Sequence, residues 1–135
     1  MIKRLQSIKS FSMDFPLLLV RVAVAILMLT HGWPKLAGYK ERLHTFSDPI
    51  GLGSEVSLTL VVFAEVFCSI LIGIGLFTRF ALIPLLISTL IIVFIVHAND
   101  PFGRQELGLL YFTFYVTLFF TGPGKFSADA RLAKH

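Results

Sequence analysis

The stretch FALIPLLISTLIIVFIV, residues 80–96, contains no charged side chain, and its polar groups are two hydroxyls, Ser88 and Thr89. Its length and apolarity approach the roughly 20 residues a helix needs to cross a bilayer. Just before it, Thr78 and Arg79 form a very short connection, which demands an antiparallel neighbour. That neighbour is a second apolar run, 54–77, whose one interior charge is Glu65. After His97, a turn containing Asn99, Asp100, Pro101 and Gly103 leads to a further run, 105–121, stopped by Gly122-Pro123-Gly124. Toward the amino terminus lies a polar connection, 37–53, in which Phe46, Ile50 and Leu52 predict folding back onto the bundle. The first run, 16–36, opens on Pro16, which suits a first helical turn, and ends on His31, Gly32, Trp33, Pro34 and Lys35 at an interface. Residues 1–14 predict a short surface helix, with apolar residues near every third position beside Lys3, Arg4 and Lys9. A cleaved leader is the competing reading; Arg21 inside the apolar run and the lack of an A-x-A site oppose it.

Composition agrees with this pattern. Of 135 residues 56% are apolar and 15% are charged, and mean hydropathy is +0.82. An ordinary soluble domain is roughly 25% charged. These values exclude a disordered chain, a collagen and a soluble enzyme, and the length leaves no room for two domains. The expected fold is an all-α integral membrane four-helix bundle, one domain over 1–135, with spans near 16–36, 54–77, 80–97 and 105–121. Lys and Arg exceed Asp and Glu by 12 to 8. The basic residues sit mostly in tails and loops, so they speak to orientation and lipid headgroups rather than nucleic acid. One side would hold Lys3, Arg4, Lys9, Arg79, Lys125, Arg131 and Lys134; the other holds Lys35, Lys40, Arg42 and Arg104. That asymmetry places both termini in the cytoplasm. The single cysteine, Cys68, cannot form an internal disulfide and reads as a small buried hydrophobe. Gly124-Lys125 is no phosphate loop, since Phe126 stands where Ser or Thr is needed.

Arg21 and Glu65 fall inside apolar runs, where an ionisable group costs roughly 2.5–3.5 kcal/mol to insert. They must therefore face inward and find partners. Arg21, Ala25, Met28, Gly32 and Lys35 share one stripe of the first helix, with small residues that permit close approach. Glu65, Ser69 and Gly73 share a stripe of the second, and Glu106, Thr113 and Thr117 align on the fourth. At 1.5 Å per residue, Arg21 lies ~7 Å to the cytoplasmic side of Glu65 and His31 ~7 Å to the outer side. Side chains lean toward their own helix's amino terminus. A Glu65–His31 contact is thus easier than Glu65–Arg21. His31, His97 and Glu106 belong to the outer half of the bundle, and Glu65, near the centre of its span, leans toward them.

Three readings of these groups compete. Each one taken singly is most often structural, gluing helices. Together they suit a pocket in which Glu65 and His97 exchange protons beside a bound lipid-soluble molecule such as a quinone. Two His and two carboxylates also suit iron, manganese or zinc. However, no E-x-x-H pair is present and the ligands come from four helices, so no metal site is expected.

The ordered set of residues resembles the DoxX family of small four-helix membrane proteins. The matching pieces are Arg21 with His31-Gly32-Trp33-Pro34-Lys35-Leu36, and Glu65 with Gly73-Ile74-Gly75-Leu76-Phe77-Thr78-Arg79. His97, Glu106 and Gly122-Pro123-Gly124-Lys125-Phe126-Ser127-Ala128-Asp129 complete it. The resemblance implies a bacterial-type inner membrane location and association with redox enzymes, in systems linked to quinone reduction and oxidative stress. Carried onto this sequence, it points to Arg21, His31, Glu65, Arg79, His97 and Glu106 as ligand-binding residues. The leading expectation is a non-catalytic or weakly catalytic membrane subunit of an oxidoreductase system, with a soluble redox enzyme as partner and a quinone in its pocket. In that pocket Arg21 would supply a compensating positive charge. The alternatives are a membrane anchor that recruits soluble partners through basic tails and the Arg79 turn, and a small transporter built from homo-oligomers.

Overall fold

The computed structural model describes residues 12–135, so the surface helix expected over 1–14 falls almost wholly outside the described residues. Among those residues the chain is all helical, without strands. The elements are α1 (Asp14–Ala37), a short α2 (Tyr39–Arg42), α3 (Ser54–Ile74), α4 (Thr78–Val96), α5 (Phe102–Thr121) and a short α6 (Ala128–Leu132). Three of them, α1, α3 and α4, are long and apolar enough to cross a membrane. The remaining long helix, α5, has 20 residues, but Arg104, Gln105 and Glu106 near its start make it more polar.

Small residues decide how α1 and α3 pack. Gly32 lies directly on α3: a Cβ there would stand 2.8 Å from Glu65 Cβ and 2.9 Å from the Glu65 carbonyl carbon. Two turns away, Gly73 meets Ala25 less tightly, with 3.3 Å between Cβ positions. The inner faces of α1, α3, α4 and α5 then enclose one apolar core around Met28, Ile72, Leu82, Leu85, Tyr115 and Leu118. Cys68 is buried in it. A second cluster, Leu58, Val62 and Val66, is covered by Tyr39, Leu43 and Phe46, so the 37–53 connection does fold back. Its shape is set by Asp48, whose carboxylate accepts hydrogen bonds from the Gly53 and Leu52 N–H groups (2.9 and 2.8 Å) and from Ser57 Oγ (2.9 Å). Those donors, Gly53 foremost, hold the carboxyl below its ordinary range.

The α3–α4 turn, the start of α1 and the tail meet at one end of the bundle. Gly75 ends α3 in the left-handed region at φ 77°, with the Gly75 and Leu76 N–H groups turned back onto Ile72 and Leu71 carbonyls. Phe77 is also left-handed, at φ 47°. Helix α4 has no capping side chain of its own. The tail supplies one: Asp129 accepts the Phe77 and Thr78 N–H groups at 2.8 and 2.9 Å, while its own N–H donates to the Gly75 carbonyl at 2.8 Å.

Two of the residues expected in the pocket belong to this clasp. Arg21 is buried, 2% exposed, and its guanidinium donates to the Pro123 carbonyl and to the Phe126 carbonyl (2.6 Å for the latter). It leans toward its helix's amino terminus, as the tilt rule requires, and so reaches the tail rather than Glu65. Arg79 donates to the Phe119 carbonyl at 2.8 Å, in the last turn of α5, where freed carbonyls favour a cation.

Candidate ligand cavity

The opposite half of the bundle is not closed. In α3, residues Phe63–Cys68 adopt a π-helical turn, and in α4 residues Ile92–Val96 adopt another. The second is closed by the His97 N–H on the Ile92 carbonyl, five residues back, at 2.9 Å. Such wide turns displace the helix surface and recur at functional sites. Residues of both turns line a cavity of about 670 Å³, within the range of small-molecule sites. The second turn is held by α5, where a Cβ on Gly108 would stand 2.5 Å from Val93 Cγ2. Phe46, Ile50 and Leu52 of the Asp48 loop complete the wall.

The wall is largely aliphatic and aromatic, with ionisable groups at defined points. Glu65 and Lys35 form an ion pair at 2.5 Å, and the two side chains are 3% and 24% exposed. Their opposed tilts explain the match. Helices α1 and α3 run antiparallel, each side chain leans toward its own amino terminus, and the lysine stem spans the remainder. His31 lies edge-on to Tyr111, with ring centroids 5.9 Å apart, and both line the cavity. His97 is fixed twice: Nδ1 lies 2.6 Å from an Asp100 carboxylate oxygen, and its carbonyl accepts from Gln105 Nε2 at 2.7 Å. Arg104 stands beside the same Asp100 at 3.8 Å and also lines the cavity. Deeper in the core the Ser69 and Tyr115 hydroxyls are buried without a hydrogen-bond partner among the described residues.

Of the six residues singled out from the sequence, the cavity brings together His31, Glu65 and His97. Arg21 and Arg79 hold the tail and the end of α5 at the far end of the bundle. Glu106 is exposed on α5 and does not line the cavity. Glu65 therefore has Lys35 as its partner, not His31 or Arg21. In the sequence Lys35 reads as an interfacial residue, and its place on the Arg21 stripe, one turn beyond Gly32, is the signal that points inward. Among the described residues, no three His, Cys, Asp or Glu side chains gather as a metal-binding group.

The residues that build the cavity from α1, α3 and α4 coincide with the segment that other proteins share. The sequence pattern of the DoxX family matches residues 16–98, more than half of the chain. The chain is also 30% identical over 125 residues to the inner membrane protein YqjF of Escherichia coli (strain K12). That match covers 90% of this chain and 95% of the other, so it extends beyond the segment matched by the family pattern. No solved structure matches significantly. This chain belongs to the DoxX family.

Proposed function

We propose that the protein is an inner membrane subunit of a quinone-linked oxidoreductase system, which holds a lipid-soluble redox ligand in the cavity between α1, α3, α4 and α5. In this reading all four long helices cross the bilayer and both chain ends face the cytoplasm. The observation that carries it is the pair of π turns flanking a cavity of about 670 Å³ whose apolar wall holds an ion pair and two imidazoles. Burying such groups is costly, and ionisable residues at membrane depth mark functional sites by default. The inner membrane location is supported by three strongly apolar helices and by the printed name of the E. coli relative. The cytoplasmic placement of the ends is supported by the excess of basic residues on that side.

The donor set fits a quinone. Its carbonyl oxygens need hydrogen-bond donors, and Lys35, His31 and Tyr111 offer them. When bound, a quinone supplies reversible uptake of two electrons and two protons. Glu65 and His97 are the proton-exchanging groups of this chain, His97 held in one orientation by Asp100. Lys35 takes the charge-compensating role that the sequence suggested for Arg21. A soluble redox enzyme is the expected partner.

The test is equilibrium binding of a short-tailed quinone to the purified protein in lipid nanodiscs. Ser88→Phe serves as a plug, since Ser88 lines the cavity and is half-buried. The wild-type chain should bind saturably and the plugged chain, equally thermostable, should not. Equal binding by both would remove the cavity from consideration.

A further inference from the structure

We infer that Lys35 is the head-group residue of the cavity, and that its ligand is a single-tailed amphiphile whose head presents oxygen acceptors. This rests on the cavity reading above and narrows its ligand class. The two members of the ion pair are not equivalent. Glu65 is packed beneath Gly32 in the α1–α3 contact and is 3% exposed, whereas Lys35 is 24% exposed. An ammonium carries three donors. Among the described residues Lys35 spends one, on Glu65 Oε2, and both side chains line the cavity. Up to two charged N–H donors are therefore left for a ligand.

The charges around the cavity point the same way. Its lining holds Lys35, Arg104, His31 and His97, with Glu65 as the one carboxylate in the lining and Asp100, just outside it, beside His97 and Arg104. A cationic head would find no carboxylate there except one already paired and buried. A carbonyl or carboxylate oxygen finds charge-assisted donors, the stronger class of hydrogen bond. The tail is specified by the opening. Leu60 and Phe63 of α3 and Ile87 of α4 line the cavity and are also about half exposed on the flank of the bundle. An acyl or isoprenoid chain bound by its head at Lys35 leaves through that flank into hydrocarbon. Besides exchanging protons, Glu65 then holds the ammonium in place for the head group.

Binding to nanodisc-embedded protein decides this, with three probes: a decyl-tailed benzoquinone, hexadecanoate and dodecyltrimethylammonium. Lys35→Met alone strands a buried carboxylate and lowers stability. Lys35→Met combined with Glu65→Leu removes both charges, and replacing a buried pair by apolar residues is often neutral. The double variant should therefore unfold near the wild-type temperature. It should bind whichever oxygen-headed probe the wild type takes about tenfold to a hundredfold more weakly, the loss of one charge-assisted hydrogen bond. Lys35→Arg, which keeps the charge, should retain binding. Which of the two oxygen-headed probes binds distinguishes a carbonyl from a carboxylate source. A double variant that binds like wild type overturns the role of Lys35 and leaves the cavity reading intact. Wild-type uptake of the cationic probe alone overturns the ligand class. Uptake of none of the three overturns both this inference and the cavity reading.

Discussion

Gly75→Ala should unlatch the tail from the bundle, and its cost can be worked from the geometry. Gly75 sits at φ 77°, where an L side chain is strained by about 1–2 kcal/mol. Its added Cβ would stand 2.5 Å from Ser127 Cβ and 3.0 Å from Arg21 Cζ and Nη1. Neither neighbour gives way cheaply. Ser127 is buried and caps α6 through the Ala130 N–H at 3.1 Å, and Arg21 is fixed by two tail carbonyls. Such overpacking costs about 1–3 kcal/mol. The sum, about 2–5 kcal/mol, is a large part of a typical domain's stability of roughly 5–15 kcal/mol. The assay is thermal unfolding in lipid nanodiscs, paired with limited trypsin cleavage after Lys125 and Arg131. The variant should melt earlier and lose its tail faster. Gly103→Ala is the control: nothing lies within 4 Å of its added Cβ, and the change should be stabilising by up to about 1 kcal/mol. If Gly75→Ala matches wild type in both measurements, the clasp does not hold the tail.

Three further outcomes follow from named contacts. For Asp129, burial alone would raise the carboxyl, but the Thr78 and Phe77 N–H groups and the nearby Arg21 charge outweigh it and hold it below its ordinary range. Its stabilisation is then complete above the unfolded value of about 3.9 and is lost as pH falls through the lower folded value; Asp129→Asn should flatten that acid limb in melting curves taken against pH. Gly32→Ala drives a methyl into Glu65 Cβ and backbone at 2.8 and 2.9 Å, and should cost about 1–3 kcal/mol of stability and weaken quinone binding as the Lys35–Glu65 pair is displaced. Arg79→Gln removes the cation from the carboxyl end of α5, and should cost about 0.3–1 kcal/mol and speed hydrogen exchange at the Gly122 amide, which bonds to the Leu118 carbonyl.

Much of the helical layout is legible in the sequence because hydropathy and turn residues mark it directly. Runs without charge and punctuation such as Gly122-Pro123-Gly124 lie close to the observed helix ends, whereas the connection expected at Thr78-Arg79 falls three residues earlier, at Gly75–Phe77, and Thr78 opens α4. The inward burial of Arg21 and Glu65 follows from their insertion cost alone. Their partners do not. Arg21 bonds to main-chain carbonyls of Pro123 and Phe126, over one hundred residues away, and a carbonyl leaves no side-chain signature. Lys35 could be reached from its stripe and the tilt of antiparallel helices, but a lysine near an interface also fits a simple marker of the membrane boundary. The π turns leave still less trace: FAEVFC and IVFIV are ordinary apolar segments, and nothing in their composition marks the extra residue per turn. The site therefore shows in the sequence as ingredients, while its walls come from tertiary structure.

An experimental density map of the chain purified in native lipid addresses the cavity most directly. The account predicts an elongated density that enters between Leu60, Phe63 and Ile87 and ends within hydrogen-bonding distance of Lys35 Nζ. A map in which the π turns of α3 and α4 pack against each other, with lipid chains stopping at the bundle surface, would contradict it.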